Sequence, residues 1–257
     1  MSDDIYPIIA LWVHPRSMST AIERIMRERG DLNCLHEPFM YYYYIGLGKK
    51  ALPLSELNIG KPETFDEIVA DMEQRALSGP VFFKDMGYYV LPEIYRHPDL
   101  ASRIQHLILI RDPRKSILSY YKLDPGVTLE EIGLKAQWNL YEWLVKNSKT
   151  PPFIIEAEAV QKDPIETMTR AWKHIDLPII DSAFQWRADE VPKDWQSVSG
   201  WHQSVISSTE IRKADVDDEA QTCTQFEQAA DQNPVLYEFL EYHQPFYDKL
   251  KAASARQ

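Results

Sequence analysis

Cysteine and glycine are both scarce in this chain, two of the first and nine of the second among 257 residues. Two cysteines, Cys34 and Cys223, cannot build a disulfide framework, so a reducing compartment is expected. No G-x-x-x-x-G-K-[ST] loop occurs, which counts against a Walker-type ATP site. Long apolar runs are missing as well. The most apolar early stretch, Ile8 to Val13, is far too short to cross a bilayer, and Met1-Ser2-Asp3-Asp4 lacks the basic start of a secretory signal. The expectation is a cytoplasmic protein with no membrane partner. Basic residues are in deficit, 28 against 39 acidic ones, for a formal net charge of −11. A nucleic-acid binder must neutralise phosphates, so no nucleic acid is expected as a partner, nor any long sulfated or phosphorylated polymer. The seven histidines are scattered and the cysteines lie far apart, so no metal site is expected.

What is present is ordinary globular material, 44% hydrophobic and 26% charged. The length suits one large α/β domain. Ile5–His14, Asn33–His36, Val81–Lys84, Ile104–Arg111 and Phe153–Glu156 read as short strands. They are continuously apolar, as strands covered on both faces are. Between them lie helical patterns at Thr20–Arg29, Thr64–Leu77, Pro113–Tyr121, Leu129–Lys146 and Pro164–Ile175. Thr64 with Glu67 forms a capping box, and Pro113 suits a first helical turn. In the longest pattern Ile132, Ala136, Leu140, Trp143 and Leu144 share one face, with Trp143 in the core. This alternation predicts an α/β fold: a central parallel sheet flanked by helices. The last third has few periodic runs, many turn residues and three tryptophans, Trp186, Trp195 and Trp201. It reads as an irregular lid region followed by C-terminal helices. With no linker in sight, residues 1–257 are expected to form one domain, with an α/β core over 5–176 and a lid and flank over 177–257.

The most informative segment is His14-Pro15-Arg16-Ser17-Met18-Ser19-Thr20, where a buried strand turns into a helix. Ligands of open α/β sheets sit at the carboxyl ends of strands. The first N–H groups of a helix are unpaired, and its dipole favours an anion there. Arg16 adds a fork of donors suited to phosphate or sulfate, and Ser17, Ser19 and Thr20 add hydroxyls. A plainer alternative is that one hydroxyl caps the helix while Arg16 is solvated. A second such junction follows the strand Ile104–Ile110. Arg111 ends the strand, and Ser119 comes eight residues later, two turns into the next helix. Both can face one anion, or Arg111-Asp112 can be a local ion pair and Ser119 an ordinary helix residue.

Pro15-Arg16-Ser17-Met18-Ser19-Thr20 resembles the 5′-phosphosulfate loop of sulfotransferases, usually Pro-Lys/Arg-Ser-Gly-Thr/Ser-Thr, with Met18 in place of the common glycine. Arg111-Asp112-Pro113 with Ser119 resembles that family's 3′-phosphate motif, Arg-Asn/Asp-Pro with a Ser eight residues after the Arg. The likeness covers about residues 5–165, since Ile154-Ile155-Glu156 and Asp163-Pro164 also match a later strand and helix start. It implies sulfuryl transfer from 3′-phosphoadenosine 5′-phosphosulfate (PAPS), leaving adenosine 3′,5′-bisphosphate (PAP), to a hydroxyl or amine of a small-molecule acceptor, without a metal. Arg16, Ser17, Met18, Ser19, Thr20, Arg111 and Ser119 are then the cofactor residues. Ile155 stands where many members carry an adenine-binding tyrosine.

The same resemblance assigns the chemistry. Some branches of the family place a glutamate base after the second strand, and Glu37 of His36-Glu37-Pro38 matches. Others use a histidine in Lys-x-His after the third strand; here Phe82-Phe83-Lys84-Asp85-Met86 keeps the lysine and has Met86 for the histidine. Glu37 is therefore the expected base, with His36 as its rival and Lys84 steadying the transferred group. In a regular strand His36 and Glu37 would point to opposite faces. Plainer readings are a strand-end polar pair for His36-Glu37 and a local ion pair for Lys84-Asp85. The aromatic run Phe39–Tyr44, and Tyr88-Tyr89, either line an acceptor site or pack a loop. Trp201, in Gly200–Ser204, either stacks on adenine or is simply buried. Two other classes remain open: a small-molecule kinase or nucleotide hydrolase, and a non-catalytic nucleotide-binding protein on the same fold.

Overall fold

The buried apolar runs form five strands: β1 (Ile8–Val13), β2 (Asn33–His36), β3 (Val81–Met86), β4 (Ile104–Ile110) and β5 (Phe153–Glu156). The computed structural model from which they are taken describes residues 5–49, 60–213 and 218–257. All five pair in parallel, in the order β2-β3-β1-β4-β5. Every residue of β1 and β3 is buried, as continuous hydrophobicity requires when helices cover both faces. β3 runs two residues beyond the apolar pattern. The reason is Asp85, fully buried, whose carboxylate accepts the N–H of Phe39 at 2.7 Å and of Met86 at 2.9 Å.

The direction in which successive connections progress across the sheet reverses at its middle. The connection after β1 leads toward β2, while that after β4 leads the opposite way to β5. Such a reversal opens a crevice at the carboxyl edge. Pairing of β1 with β4 ends at Trp12 and Ile108. Beyond it the buried Gln137 amide donates to Trp12 O at 3.0 Å and Leu109 O at 2.6 Å, filling in for the lost ladder.

Helix boundaries follow the local signals closely where caps exist. Thr64 and Glu67 form the capping box of the Phe65–Ala76 helix, and the Pro113–Tyr121 helix starts at its proline. The helix expected over Leu129–Lys146 is instead interrupted. A 3₁₀ turn at Glu130–Ile132 meets Gly133 at φ 82°, and the α-helix proper is Leu134–Asn147. A Cβ on Gly133 would lie 3.2 Å from Tyr88 Cδ1 and 3.3 Å from His14 Cβ, so the glycine brings this helix against the end of β1. Gly133→Ala should lower stability by about 1–3 kcal/mol, as strain plus crowding at a left-handed position. Chemical denaturation should show a lower midpoint at unchanged slope; an unchanged midpoint would contradict this. Trp143, on the same helix, is only partly buried, tilted against Tyr95 with ring centroids 5.3 Å apart.

The pattern missed the short helices Gly87–Arg96, Pro98–Arg103 and Ala157–Lys162, the first of which carries Pro92 in its interior. It also missed that the tyrosine run is helical, with an α turn at Pro38–Tyr41 and a π segment at Tyr42–Gly46. Residues 177–213, expected to be irregular, also carry 3₁₀ segments at Asp181–Phe184 and Lys193–Trp201 and a helical turn at Gln203–Ile206; the buried Trp186 and Trp195 anchor them, and the helices Asp218–Gln232 and Val235–Ser254 follow. Phe226, Ala230, Leu236 and Phe239 of these helices join Ile117, Leu118 and Tyr120 in a second apolar cluster. Among the described residues no helix is long and apolar enough to cross a membrane.

Candidate active site

The turn after β1 is built for exposed N–H groups. Arg16 and Met18 both take left-handed conformations, φ 62° and 71°. Met18 is the N-cap of the Ser19–Glu28 helix, with no side-chain cap bond. Glycine would adopt this backbone without strain; methionine is held in it by its surroundings. None of Ser17, Ser19 and Thr20 therefore caps the helix. Ser17 is fully buried, and its Oγ has no protein partner among the described residues.

Arg16 is not solvated. Its Nε donates to Ser119 Oγ at 3.0 Å and its Nη1 to the Trp201 carbonyl at 2.9 Å, and its guanidinium lies 5.9 Å from the Trp201 ring. Its partners are neutral oxygens, while burial and the neighbouring Arg111 both work against its charge and lower its pKa. Arg111 reaches the same turn from the end of β4, donating from Nη1 to Arg16 O at 2.8 Å. Its own N–H is accepted at 3.1 Å by Nε2 of His14, a ring held neutral because burial, then Arg111 and His243, push its pKa down to about 3. The local pair Arg111-Asp112 does not form. Asp112 instead caps its helix by accepting from Arg114 N and pairs with Arg114 Nη2 at 2.5 Å. Ser119 meets Arg16, not Arg111.

A second cluster lies along the edge at β2 and β3. Lys84, fully buried, pairs with Glu37, not with Asp85. Glu37 has φ 42°, so the strand's alternation stops at His36, and His36 and Glu37 turn to the same side, with Nε2 and Oε1 3.9 Å apart. The expected opposition of their side chains fails for that reason. His36 is oriented by Glu23, whose Oε2 accepts from Nδ1 at 2.7 Å. Glu23 also accepts from Trp195 Nε1 at 2.7 Å and Arg27 Nε at 2.8 Å, with Lys84 Nζ 3.8 Å away. Burial alone would raise its pKa, but His36, Arg27 and Lys84 outweigh burial and hold it well below the carboxylate range. Beyond His36, Nε2 meets His202 Nε2 at 3.2 Å, and His202 Nδ1 meets Thr20 Oγ1 at 3.1 Å. Burial, then His36 and Lys84, push the His202 pKa well below its usual value.

Both clusters open onto one cavity of about 460 Å³ along the carboxyl edge. Arg16, Met18, Ser19, Thr20, Glu37, Lys84, Arg111 and Trp201 line it; Ser17, His36 and Ser119 stand behind the wall. Tyr88, Tyr89 and Met86 form the wall near Glu37, whereas Tyr43 and Tyr44 of the tyrosine run pack behind them. The Tyr88 hydroxyl is buried there, and among the described residues it makes no hydrogen bond of standard geometry. Ile155 is buried within β5 and does not reach the cavity. Sequence reasoning missed Glu23, His202, His14 and Tyr120. Glu23 falls four residues before Arg27, an i,i+4 charge pair that is the local signal available; the others need the tertiary fold. No group of three or more metal-ligating side chains occurs among the described residues.

A parallel sheet of this order, with an anion-type turn after β1 and an arginine after β4, gathers donors for an anionic ligand at the sheet's carboxyl edge. Residues 7–230 match the family profile described as sulfotransferase domain, and the chain belongs to that family. Among solved structures, the sulfotransferase domain from the Synechococcus PCC 7002 olefin synthase shares the fold, with TM-score 0.53 at 18% identity over 88% of this chain and 96% of that one. The sulfotransferase domain from the curacin biosynthetic pathway gives 0.50 at 13%, over 81% and 84%. The branched-chain-amino-acid aminotransferase-like proteins 2 and 1 of Arabidopsis thaliana are 27% and 28% identical over 215 residues, which is 79% of this chain and 36% of each relative. The chain thus spans about a third of the length of those curated relatives. Family membership favours sulfuryl transfer over a kinase or nucleotide hydrolase.

Proposed function

We propose that this chain transfers a sulfuryl group from PAPS to a hydroxyl or amine of a small-molecule acceptor. The observation that carries the reading is the convergence of Arg16 and Arg111, from two adjacent strand ends, beside the Glu37–Lys84 pair on one cavity. The residues fit such a donor. Two half-buried cations, the N–H groups of a left-handed turn and the Thr20 hydroxyl all favour a polyanion. Bound there, PAPS supplies an activated sulfuryl group on its phosphosulfate.

The sheet order sets out the roles. Glu37 and Lys84 stand at the β2 and β3 ends, Arg16 at β1 and Arg111 at β4. The 5′ end of the donor belongs at Arg16 and residues 17–20, its 3′-phosphate at Arg111, with Ser119 holding Arg16 in place. Trp201 closes the site through its carbonyl on Arg16. The acceptor enters against Met86, Tyr88 and Tyr89, where Glu37 takes its proton and Lys84 balances charge on the transferred group. Fixed cations and positioning carry such a transfer, as they do for phosphoryl groups.

Titration calorimetry with PAP and with 5′-AMP tests the reading. The wild-type protein should prefer PAP, and Arg111→Ala should lose most of that preference. An Arg111→Ala protein that discriminates as the wild type does would move the 3′-phosphate elsewhere.

A further inference from the structure

Glu37 sits where two roles compete for one carboxylate. It follows β2 at φ 42° and is the N-cap of the Pro38–Tyr41 turn, which runs on into the π segment Tyr42–Gly46. The first N–H groups of a helix lack partners inside it, and the N-cap side chain is placed to accept one of them, two or three residues on. Pro38 has no N–H, and the Met40 N–H already donates to Glu37 O at 3.0 Å, which leaves the Phe39 N–H. Glu37 does not take it. Its carboxylate makes no cap bond, pairs with Lys84 and lines the cavity. The Phe39 N–H donates instead to Asp85 Oδ2 at 2.7 Å, an acceptor brought from β3.

Asp85 is fully buried at the next-to-last position of β3, and its other oxygen accepts the Met86 N–H at 2.9 Å. Burial, then Glu37, push its pKa well above the carboxylate range, against the two N–H bonds and Lys84. A buried carboxyl group is costly unless its bonds are made, and both of these are bonds to the main chain. The Glu37 N–H donates to Lys84 O at 3.0 Å, one step past the β2–β3 pairing that ends at His36 and Lys84. Together with the Phe39–Asp85 bond, it fastens the backbone on both sides of Glu37 to the end of the strand that carries its partner lysine. We propose that Asp85 is a positioning residue for the acceptor end of the site: it caps the helix that Glu37 begins, and so leaves the Glu37 carboxylate to Lys84 and to the acceptor's proton. The inference rests on the reading of Glu37 as the base. Without Asp85 the Phe39 N–H is a buried donor with no acceptor. The Glu37 carboxylate, at the N-cap two residues before it, then turns to that N–H and away from Lys84 and the cavity.

Crystal structures with PAP bound, and PAP release from PAPS with water as the acceptor, test this on the wild type, Asp85→Ala, Asp85→Asn and Glu37→Gln. Release is counted per PAP-binding site from calorimetric stoichiometry, so a misfolded fraction does not enter. In Asp85→Ala the Glu37 carboxylate should accept from the Phe39 N–H and leave Lys84, and release should fall about 10- to 100-fold, the scale of a misplaced group at the reacting centre. PAP affinity should stay within a few-fold. Asp85→Asn keeps an oxygen for the Phe39 N–H and gives up the charge; it should hold Glu37 on Lys84 and restore most of the release. Placed on Glu37→Gln, where no base is left to misplace, Asp85→Ala should change release by a few-fold at most. Three results would each overturn the positioning role: Glu37 still on Lys84 in Asp85→Ala, an Asp85→Asn protein as slow as Asp85→Ala, or a loss as large on Glu37→Gln as on the wild type. Where Asp85→Ala does not fold, Asp85→Asn decides by itself, since a displaced Glu37 or slow release in it would overturn the proposal. The structures suffice where release is too slow to follow. Near-wild-type release by Glu37→Gln would overturn Glu37 as the base, and the role of Asp85 with it.

Discussion

Glu37→Gln is expected to lower turnover by about 10²–10⁴ while PAP affinity stays within a few-fold, the pattern of a lost proton acceptor. The side chain lines the cavity at the acceptor end, buried to 5% exposure, and a left-handed backbone aims it beside Lys84. Glutamine keeps its shape and its hydrogen bond to Lys84 and loses only basicity. The substitution also leaves the buried Lys84 ammonium without its close carboxylate, so a melting curve should accompany the kinetics. His36→Ala should reduce turnover less, because His36 lies behind the cavity wall and reaches the cavity-lining Thr20 only by way of His202. A near-normal Glu37→Gln enzyme beside a dead His36→Ala enzyme would transfer the role of base to His36.

Arg16→Ala should weaken PAP binding by about 2–3 kcal/mol, roughly 30- to 150-fold in Kd. Arg16 is held by Ser119 and Trp201, so its donor fork is set before a ligand arrives and little rotamer freedom is lost on binding. The alanine variant also removes the contact to Trp201, and Ser119→Ala separates the two effects. That variant loosens Arg16 but keeps the charge, and its loss should be the smaller. Unchanged PAP affinity in Arg16→Ala, measured by calorimetry, would remove this arginine from the donor site.

Much of the architecture was legible because its signals are local. Continuous apolar runs marked all five strands to within a few residues, and Thr64, Glu67 and Pro113 marked helix starts through backbone bonds they make themselves. Where the local pattern misled, a backbone feature intervened. Gly133 at φ 82° split a helix whose apolar face reads as unbroken, and Glu37 at φ 42° ended the alternation that would have separated it from His36. The local ion pairs Lys84-Asp85 and Arg111-Asp112 failed for another reason: better-placed partners exist, Glu37 and the Phe39 N–H from a distant stretch of chain, and Arg114 two residues on, in the helix that Asp112 caps.

By itself the amino-acid sequence determined the strand–turn–helix junctions and the residue types at them, Arg16 with its three hydroxyls and Arg111 with Ser119 eight residues on, because such punctuation is written over a few consecutive residues. The tertiary structure alone decided which of these meet. Arg16 contacts Ser119 across 103 positions and Trp201 across 185, and His36 contacts His202 across 166. Those meetings follow from the strand order β2-β3-β1-β4-β5 and from the return of residues 193–202 over the sheet's carboxyl edge. Both depend on how helices and strands bury their apolar faces together, a property of the packed whole that no local spacing encodes.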